Sequence, residues 1–325
     1  MTVGARPQAT VLDLANCADV PATRIGGKAL GLGRLLSLSI DVPPGFVVGT
    51  EVFATWMDAH GLAGQVRDRL RGADDVAALK AATSEIGALM AAVPLQSPEI
   101  DAAYGKLAGD AGAAVAVRSS ATGEDARESS YAGQQETILW VRGAAAVRRA
   151  IVDCWASLFS FEAVQYRSHL GLEPEQGEMA VVVQAMVDAE AAGVMFTIDP
   201  LTGDPSQITI ESTVGLGTAL VSGEVTPDRY CVDKVTLELR SRTLVGDAGS
   251  LSDAEVVALA EIGKRVERAS GSAMDIEWAL GAGGQDAGSA RPIFLLQARP
   301  ETGQRARREA SAGRRSGIDW IRRTL

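Results

Sequence analysis

The spacing of apolar residues changes period along this chain, and that change constrains the fold more than any other feature. Between residues 50 and about 110, Val52, Phe53, Trp56 and Met57 fall at helical spacing, and an alanine-rich segment over 74–93 continues the pattern. Helical spacing returns over 144–170. From 179 onward short strand-like runs take over, at 179–186, 193–198, 207–211 and 230–232. A single helix is predicted over 253–270, with Ser252 or Asp253 as its N-cap. Near the start, a glycine-rich turn at 26 runs into an apolar helix over 29–38, and strands follow at 46–48 and 113–117. The pattern predicts an α/β (α+β) chain with a helical insertion and a β-rich second lobe. The expected division is 1–186, 187–303 and a basic tail over 304–325.

Two of the last apolar runs carry charge in an orderly way. Asp275-Ile276-Glu277-Trp278 and Leu296-Gln297-Ala298-Arg299 each hold two polar residues spaced two apart. A strand repeats every two residues, so Asp275 and Glu277 share one face, as do Gln297 and Arg299. Carboxylates are hard oxygen ligands suited to Mg²⁺, and an arginine can neutralise phosphate charge. The structural alternative is an acid–arginine pair joining neighbouring strands, which is costly to desolvate and contributes little net stability.

Three further segments concentrate glycine, hydroxyls and charge. Arg24-Ile25-Gly26-Gly27-Lys28 opens a helix, where backbone N–H groups favour an anion and Lys28 adds a point charge. It is not a Walker A loop, because alanine follows Lys28. Arg118-Ser119-Ser120 ends a strand and leads into a long polar loop that includes Gly133. Arginine there suits a bidentate grip on phosphate, with hydroxyls and N–H groups around it. Gln184-Ala185-Met186-Val187 links the two lobes and can offer backbone groups to an adenine edge. By themselves these segments also read as a solvated lysine, a surface loop and core.

Bulk properties narrow the choice of function. The 325 residues are 46% hydrophobic and 22% charged, enough to bury a full core. A net charge of −10 argues against general nucleic-acid or anionic-membrane binding. ATP remains open to such a chain where the local site is basic or Mg²⁺ intervenes. Cys17, Cys154 and Cys231 are far apart and odd in number, and MTVGARPQAT lacks the apolar run of an export signal, so a cytoplasmic, reduced setting is expected. No apolar run is long enough to span a bilayer. The tail holds Arg305, Arg307, Arg308, Arg314 and Arg315 against few acids and is expected to be a solvated end or a docking element.

Taken in order, Gly26-Gly27-Lys28, Val117–Gln135, Gly193–Pro200, Gly215–Asp228, Asp275–Trp278 and Leu296–Pro300 resemble the ATP-binding domain of the phosphoenolpyruvate synthase and pyruvate phosphate dikinase family, which includes rifampin phosphotransferase. The resemblance implies an ATP-grasp-like, two-lobed domain that holds Mg·ATP. It casts Lys28 and Arg118 as phosphate-contacting cations, with Arg299 beside the metal and phosphate ligands, and Gly133 and Thr137 as loop residues near the nucleotide. It places Gln184 at adenine, and Glu277 and Gln297 as metal and phosphate ligands. Thr218 stands where such proteins usually carry an acidic or amide residue, and the stretch 281–291 is longer than theirs. The family passes its phosphoryl group through a histidine on a separate swivelling domain, in a Thr-Ser-His type motif. Here the two histidines, His60 and His169, both fall in helical patterns without that motif. The resemblance therefore implies an ATP-dependent phosphotransferase subunit that forms AMP and delivers the β-phosphoryl group to a partner protein carrying the histidine and the acceptor site. An ATP- or AMP-sensing module, or a piece of a longer antibiotic phosphotransferase, are the alternatives.

Overall fold

The structure is a computed structural model, and it describes residues 10–109, 112–121, 136–173, 175, 177–217, 220, 223–283 and 290–301. The chain divides into two compact units at Met186/Val187. Both contain helices and an antiparallel sheet, which bears out the expected mixture of α and β structure.

The first unit contains α1 (Ala22–Ser37), α2 (Thr50–Ala59), α3 (Leu62–Arg71), α4 (Val76–Ala91), α5 (Pro98–Ala108), α6 (Ala144–Ser157) and α7 (Phe161–His169). Its strands are β1 (Val11–Asp13), β2 (Gly45–Val48), β3 (Val115–Ala121), β4 (Thr137–Val141) and β5 (Met179–Ala185), in the order β1-β2-β5-β3-β4. Polar residues just before several helices satisfy N–H groups that the first turn leaves unpaired. Asp75 accepts from Ala78 N at 2.7 Å, Ser97 precedes Pro98 at the start of α5, and Ser160 accepts from Ala163 N at 3.2 Å.

The pleat sorts this sheet into two faces. Phe46, Val48, Val115, Val117, Val181 and Val183 join one apolar core with Trp56, Met90, Ile100 and Trp155. Each such buried side chain contributes about 1.5–3 kcal/mol. Residues of the opposite parity are Val47 on β2, Val182 and Gln184 on β5, and Ala116, Arg118 and Ser120 on β3. This second face receives α1, whose Ile25, Ala29 and Leu32 are fully buried.

The second unit has β6 (Ala189–Phe196), β7 (Gln207–Val214), β8 (Asp228–Asp233), β9 (Leu239–Thr243), β10 (Met274–Gly281) and β11 (Ile293–Pro300), in the order β11-β10-β6-β7-β8-β9. The helix α8 (Asp253–Ser270) begins at the predicted Ser252 with a reciprocal capping box through Glu255. Gly263 brings α8 against Met195 of β6, so Met195, Ile276 and Trp278 lie on the covered face of the sheet. No helix among the described residues is long and apolar enough to cross a membrane.

Candidate functional site

In the first unit, one face of one sheet collects most of the predicted residues. Gln184 pairs with Ala116, Val182 pairs with Arg118, and Arg118 pairs with Thr137 across β4. Cross-strand partners share a face, so Gln184, Arg118 and Thr137 lie on the side that receives α1. Arg118 is 9% exposed and Thr137 is exposed at the sheet edge.

Lys28 belongs to α1, the helix that packs on this face. The helix is broken at Gly26, which has φ 74° and ψ 166°, so the main helical run starts at Gly27 and Lys28 stands in its first turn. Only glycine fits, because a Cβ there would overlap the carbonyl oxygen and hydroxyl of Ser120. The Ser120 hydroxyl donates to Ile25 O at 2.9 Å and accepts from Ala29 N at 3.3 Å. Ser120 thus serves the α1 turn, whereas the sequence had suggested hydroxyls at this point for phosphate. Lys28 itself is 5% exposed, an unusual burial for an amine.

Gln184 is 2% exposed, and its amide donates to Pro43 O at 3.0 Å. Ala185 N donates to Pro44 O at 2.8 Å and Met186 N to Ala114 O at 3.0 Å. The backbone donors expected to meet an adenine edge at these two residues are therefore already bonded within the chain. Gly133 and Thr218 lie outside the described residues.

The four polar residues of the closing hairpin form two cross-strand pairs. Asp275 is opposite Arg299 and Glu277 is opposite Gln297, so all four occupy the face away from α8. Arg299 Nη2 lies 2.8 Å and Nε 2.9 Å from Asp275 Oδ2. Burial pushes the Asp275 carboxyl up from its ordinary value; Arg299 pulls it back, and Glu277 and Glu301 push it up again. The acid–arginine alternative raised by the sequence is real for that pair. Glu277 and Gln297 present a carboxylate and an amide side by side, with Gln297 only 7% exposed.

The register adds two residues that the sequence did not single out for this role. Val194 is opposite Glu277 on one side and Glu211 on the other, and Glu211 is opposite Arg229. One row across the sheet therefore reads Gln297, Glu277, Val194, Glu211, Arg229. Strand order is the only signal that connects them. Arg229 is held by Asp199, 3.3 Å from its Nη2. Asp199 also accepts from Leu201 N and Thr202 N, each at 2.8 Å. Burial pushes Asp199 up, but these bonds and Arg229 outweigh it and hold the carboxyl low. Asp228 is spent structurally, accepting from Val245 N at 2.9 Å and from Ser250 N and Oγ at 2.8 Å.

An Mg²⁺ ion bound with a nucleotide characteristically takes one or two carboxylates and completes its shell with phosphates and water. Glu277 and Gln297 supply oxygen donors of that kind. No group of three or more His, Cys, Asp or Glu residues suited to a metal occurs among the described residues. The two histidines are engaged locally, His60 Nδ1 with Trp56 O and His169 Nδ1 with Gln165 O, each at 2.9 Å. Cys17 is pushed up to about 11 by burial and then by Asp13, and Cys154 is pushed up mainly by burial, so neither thiol is a ready nucleophile.

Residues 22–316 match the family model for the pyruvate phosphate dikinase AMP/ATP-binding domain. Over 85% of its length the chain is 40% identical to a probable phosphoenolpyruvate synthase from Methanothermobacter thermautotrophicus, of which it spans 44%. Over 90% it is 37% identical to a rifampicin phosphotransferase from a Streptomyces species, spanning 36% of that protein. Over 90% it is also 35% identical to the prodigiosin synthesizing transferase PigC of Serratia marcescens, spanning 33%. The chain thus covers less than half the length of each of these relatives. Because the family model matches residues 22–316, most of the chain, the chain belongs to the pyruvate phosphate dikinase AMP/ATP-binding domain family.

Proposed function

We propose that this chain is the Mg·ATP-binding part of a phosphotransferase, with an ATP-grasp-like domain in which a histidine on a separate chain takes the pyrophosphoryl group of ATP and leaves AMP; the γ-phosphoryl group then passes to water or phosphate, and the β-phosphoryl group stays on the histidine. The family match over residues 22–316 carries the nucleotide-binding half of this reading. Lys28 and Arg118 bind phosphate oxygens, Arg299 neutralises charge beside Asp275, and Glu277 with Gln297 holds the metal. Thr137 and Gln184 line the nucleotide. Phosphoryl transfer asks a protein mainly for positioning and charge neutralisation, and these residue types supply both.

The histidines support placing the acceptor elsewhere. His169 ends α7 and His60 is the residue that caps the C-terminus of α2; both bond to a carbonyl one turn back, and neither lies on the sheet faces that carry the cations and carboxylates. The lengths of the relatives favour a second arrangement, in which a segment like this one is continuous with the histidine domain. Incubating the chain with Mg·ATP, alone and with a candidate histidine-bearing protein, tests the proposal. AMP and a labelled partner are expected only in the mixture. Tight ATP binding without AMP in any mixture would instead favour a nucleotide sensor.

A further inference from the structure

We propose that Ser120 is a positioning residue for Lys28, and that β3 thereby fixes the lysine and Arg118 as one unit. The inference rests on the phosphate-binding reading of Lys28. The Ser120 hydroxyl makes two bonds to α1 that bracket the lysine's turn, to Ile25 O on one side and to Ala29 N on the other. Ser120 is fully buried, so water cannot replace either bond. Gly26 has no side chain and a left-handed φ of 74°, and those two properties are what let the turn lie against the Ser120 backbone. Arg118 is two residues earlier on the same strand and projects to the same face. The strand that carries one cation therefore also grips the helix that carries the other, and Ser120 sets the separation between them.

A group that only holds the fold together would affect every ligand alike. A group that aims Lys28 affects the phosphates and leaves the rest of the nucleotide alone. Mg·ATP and adenosine are titrated against the wild-type chain, Ser120→Ala, Lys28→Met and the double variant, with melting temperatures recorded in parallel. Ser120→Ala is expected to weaken Mg·ATP by about 10-fold, the consequence of leaving two buried backbone groups unpaired, and adenosine by less than about 2-fold. In the Lys28→Met background the same change is expected to add less than about 2-fold, as for two residues acting through one contact. If Ser120→Ala does not fold, Ser120→Cys keeps a weak donor and acceptor at the position and is expected to give a smaller loss in the same ligand-selective pattern. Equal losses for ATP and adenosine, or a full loss that persists in Lys28→Met, would overturn the proposal while leaving the lysine's phosphate role intact. Unchanged Mg·ATP affinity in Lys28→Met would remove that role and the proposal with it.

Discussion

Asp275 and Arg299 stand opposite each other on β10 and β11, joined by two contacts of 2.8 and 2.9 Å to a single carboxylate oxygen. The Asp275 side chain is 16% exposed and that of Arg299 is 41% exposed, so the acid bears most of the desolvation. Arg299→Met removes the cation that offsets this burial. The folded-state pKa of Asp275, already raised, then rises further. A raised carboxylate pKa makes ionisation unfavourable in the fold, so the loss of stability is present at neutral pH and shrinks as the pH falls through that value. We expect a loss of about 1–3 kcal/mol at pH 7, from leaving a charged group without its partner, and a smaller one at pH 5. Urea unfolding at the two pH values measures it.

Glu277 shares this face and stands opposite Gln297 on β11. Glu277→Ala is expected to keep the fold and to lower AMP formation by ~10² or more, in line with the loss of comparable charge-stabilising groups. Circular dichroism and product analysis with a histidine-bearing partner provide the check. Loss of folding would show that the carboxylate serves the hairpin instead.

Gly26→Ala should be costly for a reason that contact loss does not capture. The new Cβ must adopt a left-handed φ and also displace the Ser120 backbone. The expected destabilisation exceeds about 1 kcal/mol, and a substantial drop in melting temperature in calorimetry is the readout.

Arg291 and Glu255 give the second unit an acid-sensitive joint. Arg291 donates to both Glu255 oxygens at 2.6 and 2.7 Å and also to Ser250 O, tying the start of α8 to the residues just before β11. Arg291 first of all, and then the capping bonds from Ser252, hold Glu255 down at about 2 against the opposing effect of burial. A depressed pKa stabilises above the unfolded value and is lost as pH falls towards the folded one. Stability should therefore fall between about pH 5 and pH 2, and Arg291→Met should flatten that part of the profile in thermal melts.

Much of this was legible in the sequence, and the parts that were not have physical reasons. The helix at Asp253–Ser270 was readable because a 3.6-residue apolar period followed a capping serine. The Asp275 and Glu277 alternation was readable because a strand keeps strict parity. The strand expected over 113–117 and ending in Arg118-Ser119-Ser120 runs from Val115 to Ala121, and all seven of its residues are buried. A hydroxyl that bonds to a neighbouring helix counts as polar in a sequence and as satisfied in a core. β4 and β9 were missed because one face is barely buried in either, so neither alternates. Glu211 and Arg229 joined the row of Glu277 only through strand order, which places β7 and β8 beyond β6 and cannot be read from local pattern.

Titration of Mg·ATP against the wild-type chain, Lys28→Met, Arg118→Met and Glu277→Gln tests the account most directly. Binding by the wild type, weakened about 10-fold or more in each variant while all four remain folded, is the expected result. Failure of the wild type to bind, or binding that none of the three changes disturbs, would contradict it.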